Sequence, residues 1–83
     1  MYTEILELYE WCIGHSIPCK IDTCWNGYKI TFPDGSDFVQ HEGSYDSEYG
    51  CVEPAGFSIS YEPVTIEKAK ELVKEKEFCK IKR

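Results

Sequence analysis

Eighty-three residues, 42% of them hydrophobic and twelve of them aromatic, suit one folded domain spanning 1–83 and exclude a disordered chain. No apolar run approaches the roughly 20 residues that a membrane helix needs, and the first residues lack the basic and apolar stretches of a signal peptide, so the chain reads as cytoplasmic. A net charge of −6 sets it against direct partners that are themselves polyanions.

Tyr2 to Ile13 has the spacing of an amphipathic helix. Tyr2, Ile5, Leu6, Tyr9, Cys12 and Ile13 make the apolar stripe, and Leu8 and Trp11 widen it. Gly14 is expected in the left-handed position that closes the helix, and Pro18 cannot continue it. Cys19 to Trp25 alternates as a half-buried strand, with Cys19, Ile21, Thr23 and Trp25 on one face. Asn26-Gly27 then predicts a two-residue hairpin turn, since both central residues need positive φ. Tyr28, Ile30 and Phe32 mark a second strand, Pro33-Asp34-Gly35 a second turn, and Asp37 to His41 a third strand.

Cys51-Val52-Glu53 reads as a short bridge that Pro54 and Gly56 interrupt, and Phe57, Ile59 and Tyr61 alternate as a fourth strand. Thr65 is placed to cap a last helix whose core stripe is Ile66, Ala69, Leu72 and Val73, with Val64 stapled onto Ala69. Glu67–Lys70 and Glu71–Lys74 are spaced as ion pairs along it. The expected fold class is α+β: a three- to four-stranded antiparallel meander with an N-terminal and a C-terminal helix packed on one face, in the order α-β-β-β-β-α.

Charge is distributed unevenly. Residues 1–67 carry twelve acids against Lys20 and Lys29, whereas residues 68–83 carry seven bases against three acids. From Ile30 to Glu67 there is no Lys or Arg. A surface of that sign repels phosphate, so direct nucleic-acid binding is not expected. Helix-strands-helix order also describes double-stranded-RNA-binding domains, but those need basic loops and a basic helix start, and here the helix begins Thr65-Ile66-Glu67.

Five cysteines are many for this length. Their odd number and the absence of an export signal favour reduced thiols packed as small hydrophobes over a disulfide framework. Cys12, His15, Cys19 and Cys24 have the donor types of a zinc site, but Cys19 and Cys24 point to opposite faces of one strand. His41 and Cys51 have the types of a thiol–imidazole pair, without a sign of an oxyanion hole. The acids between Glu42 and Glu53 lack the register of a calcium loop. No cofactor or metal is expected.

That leaves residues 42–53, a segment long for so small a domain. It carries Glu42, Tyr45, Asp46, Glu48, Tyr49 and Glu53, acids interleaved with amphipathic rings of the kind interfaces favour. Gly43-Ser44-Tyr45, Gly50-Cys51-Val52-Glu53-Pro54-Ala55 and the opening Tyr2-Thr3-Glu4-Ile5-Leu6-Glu7-Leu8-Tyr9-Glu10-Trp11-Cys12 together resemble short uncharacterised proteins encoded by phages and prophages of Gram-positive bacteria. That resemblance implies no activity and transfers no site residue. The expectation is a non-enzymatic, acidic protein-interaction module, phage-borne, directed at a basic nucleic-acid-handling host protein. The alternatives are a thiol- or zinc-dependent protein using Cys51 and His41, and a homo-oligomer joined through an edge strand.

Overall fold

The structure is a computed structural model that describes residues 3–42, 50–57 and 62–76. Its elements run α1 (Glu4–Gly14), β1 (Lys20–Cys24), β2 (Gly27–Thr31), β3 (Asp37–Gln40), β4 (Glu53–Ala55) and α2 (Ile66–Lys74). The strands form one antiparallel meander in the order β1-β2-β3-β4. Both helices pack on the same face, around Ile30 and Phe38. No helix among the described residues is long and apolar enough to cross a membrane.

In α1, Ile5, Leu8 and Cys12 are fully buried, and Leu6, Tyr9 and Trp11 pack against them in part. Ile13, expected in the stripe, is 51% exposed. The reason is the seat of α2, which lies against the Trp11 flank and turns the buried arc toward Leu8. Ile13, about 100° round the helix from Cys12, is carried to the open flank.

Gly14 stays within the helix, and Ser16 takes the left-handed position at φ 58°. Ser16 N–H donates to the Ile13 carbonyl at 3.1 Å and Ile17 N–H to that of Cys12 at 2.9 Å. The end falls two residues later than expected because this closure must bury the apolar residue after it, and that residue is Ile17. Ser16→Gly is therefore expected to stabilise the fold by about 0.5–1 kcal/mol, read as a raised urea midpoint at unchanged slope.

The β1–β2 turn is displaced by one residue from its expected position. Cys24 pairs with Gly27, so the two central residues are Trp25 at φ 46° and Asn26 at φ 62°. Gly27 opens β2, and its reason for being glycine is close approach. A Cβ there would sit 2.1 Å from the Gln40 carbonyl oxygen and 2.5 Å from the His41 Cα. The β2–β3 turn matches expectation. Gly35 N–H bonds the Phe32 carbonyl, Gly35 is left-handed at φ 89°, and Phe32 N–H bonds the Ser36 carbonyl. The Asp34 carboxylate accepts from both the backbone N–H and the hydroxyl of Ser36.

β4 is where Pro54 was expected to break pairing. The ladder explains why it does not. The Phe32–Ser36 bond sets the alternation between β2 and β3, so the polar backbone groups of Phe38 face Ile30. Phe38 and Pro54 are then a pair without backbone bonds, and the Pro54 nitrogen faces the open edge, where no donor is needed. Phe57 was expected to begin the fourth strand. It lies in a bend instead, and the rest of that alternating run, residues 58–61, falls outside the described residues. The Phe57 ring stacks on Phe38 at 4.5 Å and meets Phe32 edge-on at 6.1 Å. Val52 pairs with Val64, which leads the chain into α2.

α2 starts as expected, with the Thr65 hydroxyl accepting from Lys68 N–H at 3.3 Å. Its side-chain pairing differs. The ion pair is Lys68–Glu71 at 3.9 Å, while the Lys70 and Lys74 ammoniums lie 5.7 and 5.9 Å from the centre of the Trp11 ring. These two lysines cover the half-buried indole with their stems and hold α2 to α1. Lys76, just beyond, reaches Asp34 at 2.8 Å, the Gly56 carbonyl at 2.6 Å and the face of Phe57 at 4.6 Å.

Lys76 holds the Asp34 carboxyl down to about 2, with Ser36 assisting. A depressed carboxyl contributes stability that is complete above its usual range and is lost as pH falls through about 2. The pair is partly exposed, so the contribution is under about 1 kcal/mol. Burial pushes Asp37 the other way, above its usual range, which penalises its charged form and offsets part of the acid loss. Urea titrations between pH 5 and pH 2 should show a shallower decline for Asp34→Asn than for the parent.

Candidate interaction surface

Of the six residues singled out in the 42–53 segment, Tyr45, Asp46, Glu48 and Tyr49 lie outside the described residues. Glu42 and Glu53 are placed, and they are not together. Glu53 is half-buried on β4 opposite Val39, on the face of the sheet away from the helices. Glu42 is exposed and bound to the tip of the β1–β2 hairpin.

The tip is a small braced structure. Glu42 N–H donates to the Trp25 carbonyl at 3.1 Å, and the Glu42 carboxylate accepts from the Asn26 amide at 2.8 Å. Because Gly27 has no side chain, the end of β3 crosses directly over it and brings the His41 ring 6.3 Å from that of Trp25, tilted by 31°. His41 Nδ1 lies 2.9 Å from the Glu42 carbonyl, so that nitrogen carries the proton. Trp25 itself is 77% exposed. A bulky residue in the left-handed region costs roughly 1–2 kcal/mol, and here it returns almost no burial.

Sequence reasoning placed Trp25 on a strand and missed this. The signal was the tripeptide Trp25-Asn26-Gly27: an asparagine-glycine turn can shift by one residue when the glycine is needed for close approach.

The outer face of the sheet is mixed in charge, not uniformly acidic. Across the strands, one row reads Asp22, Lys29, Val39, Glu53, and the next reads Lys20, Thr31, Asp37, Ala55. Asp34 is held by Lys76. Among the described residues no lysine makes an ion pair with Glu42 or Glu53, so the acidic character survives at the tip and along β4.

Cys12, Cys19, Cys24 and Cys51 are reduced thiols. Cys12 and Cys19 turn to the core side, where burial pushes the Cys19 thiol up and a bond from Cys12 lowers it by less. Cys24 belongs to the opposite face, so the expected divergence of these donors is seen. Among the described residues no three of His, Cys, Asp and Glu gather closely enough to hold a metal ion. The β3–β4 ladder ends at Val39–Glu53, two residues short on each strand of pairing His41 with Cys51. No protein-family model, curated protein or solved structure matches this chain.

Proposed function

We propose that this chain is a small, non-enzymatic protein-interaction module of a phage or prophage, and that its partner is a basic, nucleic-acid-handling host protein. The observation that carries the reading is Trp25. It is a large aromatic, 77% exposed, held in an unfavourable backbone conformation in a turn that Glu42 braces through the Trp25 carbonyl and the Asn26 amide. Strain retained where it buries so little of the indole in the free chain points to use in a complex. A pre-ordered indole costs little entropy to bind and is the side chain most often found to dominate an interface.

The surroundings select the partner's chemistry. Glu42 lies at the tip and Glu53 on the same sheet, with Asp46 and Glu48 in the intervening sequence and no base from Ile30 to Glu67. A basic groove built for phosphate would attract this surface, and an arginine there would stack on the indole. The thiol and zinc readings gain no comparable support from the positions of His41 and Cys51.

Affinity capture from a host extract tests the reading. The parent chain should retain a basic protein in a salt-dependent manner. Trp25→Gly should lower retention about tenfold or more. Lysine at Asp46 and Glu48 should weaken it and flatten its salt dependence. Equal retention by all three chains would contradict the proposal.

A further inference from the structure

The two edges of the sheet are not alike. On β4 the Pro54 nitrogen faces outward, so that edge lacks a donor at its centre and is a poor template for another strand. On β1 the outward groups follow from the same alternation. Tyr28, Ile30 and Phe32 direct their backbone groups to β3, so Lys29 and Thr31 direct theirs to β1, where they meet Asp22 and Lys20. Ile21 and Thr23 are left pointing away from the sheet. Among the described residues no segment pairs with them.

We propose that this edge pairs with β1 of a second copy of the chain, antiparallel about a two-fold axis at Ile21. Residues that pair in this register have numbers summing to 42. Ile21 faces the partner's Ile21 and exchanges two backbone bonds with it, and Thr23 does the same with the partner's Cys19. On the outer face Lys20 stands opposite the partner's Asp22, and Asp22 opposite the partner's Lys20, so each chain supplies one half of each of two ion pairs.

On the inner face the row Ile21, Ile30, Phe38, Pro54 continues through the partner's Ile21 into a single eight-stranded core row. The alternative register, centred on Asp22, sets the two Asp22 carboxylates against each other and is disfavoured. The two copies of α1 do not clash. α1 packs over β2 and β3, so the two copies of α1 lie about 19 Å apart at ordinary strand spacing, more than a helix diameter. The pairing stands apart from the host partner proposed above, because it uses the edge of β1 and not the turn.

Sedimentation equilibrium of the full chain, from low micromolar to submillimolar concentration, tests it. The parent should reach twice the 9.6 kDa chain mass. Lys20→Glu or Asp22→Lys alone should weaken dimerisation about tenfold, since each turns two attractive cross-strand pairs repulsive. The double variant Lys20→Glu/Asp22→Lys should restore it, because the pairs are then reversed in sense and still opposite in sign. Thr23→Pro removes only an outward N–H and should give a folded monomer by circular dichroism. A parent chain that stays monomeric throughout, or a double variant no better than the singles, would overturn the proposal.

Discussion

Gln40→Leu is expected to lower stability by about 2–3 kcal/mol, a fall of roughly 10–20 °C in the melting temperature of a domain this small. Leucine matches glutamine in size, so no cavity explains such a loss. Gln40 is fully buried on the inner face of β3, and its side-chain oxygen accepts from Ile5 N–H at 2.9 Å. Its amide nitrogen donates to the Glu4 carboxylate at 2.9 Å. Thr3, at the position before α1, makes no side-chain cap bond, so the sheet itself caps the helix. Removing the amide leaves a buried N–H at a helix start without a partner, the costly half of a hydrogen bond to break. Hydrogen exchange should localise the effect, with the Ile5 amide losing protection before the amides of β2. Gln40→Leu with parental stability would show that the helix start finds another acceptor.

Gly27→Ala is expected to cost about 3 kcal/mol or more, the upper range for forcing an added methyl into a packed site. Both neighbours in the way are backbone, the Gln40 carbonyl at 2.1 Å and the His41 Cα at 2.5 Å, and neither rotates aside. The end of β3 must lift, and with it the Glu42 bond that braces Trp25. An Asn-Gly turn with glycine at a left-handed position would predict a milder loss, about 1 kcal/mol. Chemical denaturation separates the two accounts. A Gly27→Ala chain that also loses the Glu42–Trp25 contact, seen as a shifted Trp25 emission, supports the close approach.

These two cases mark where the sequence was legible and where it was not. The alternation of Ile21, Ile30 and Phe38, the Pro33-Asp34-Gly35 turn and the Thr65 cap are local signals, and each is found where local chemistry puts it. Pro54 in a strand was illegible because its tolerance depends on which way its nitrogen points, and that follows from a register set near Ser36. In the sequence Gln40 only shares a strand face with Phe38, with no sign that a helix start 35 positions away would meet it. Lys70 and Lys74 were spaced for neighbouring glutamates and turned to Trp11, a partner on another element. Of the candidate surface, Glu42 was named from its loop, whereas Trp25 was hidden by a one-residue shift in the turn that presents it.

The central claim is that Trp25 is held exposed and strained for binding and not for folding. A urea titration of Trp25→Gly tests this most directly, because glycine adopts the left-handed conformation without strain. The variant is expected to be as stable as the parent, or more stable by up to about 1 kcal/mol. A loss greater than about 1 kcal/mol would mean that the indole holds the tip together, and would contradict the claim.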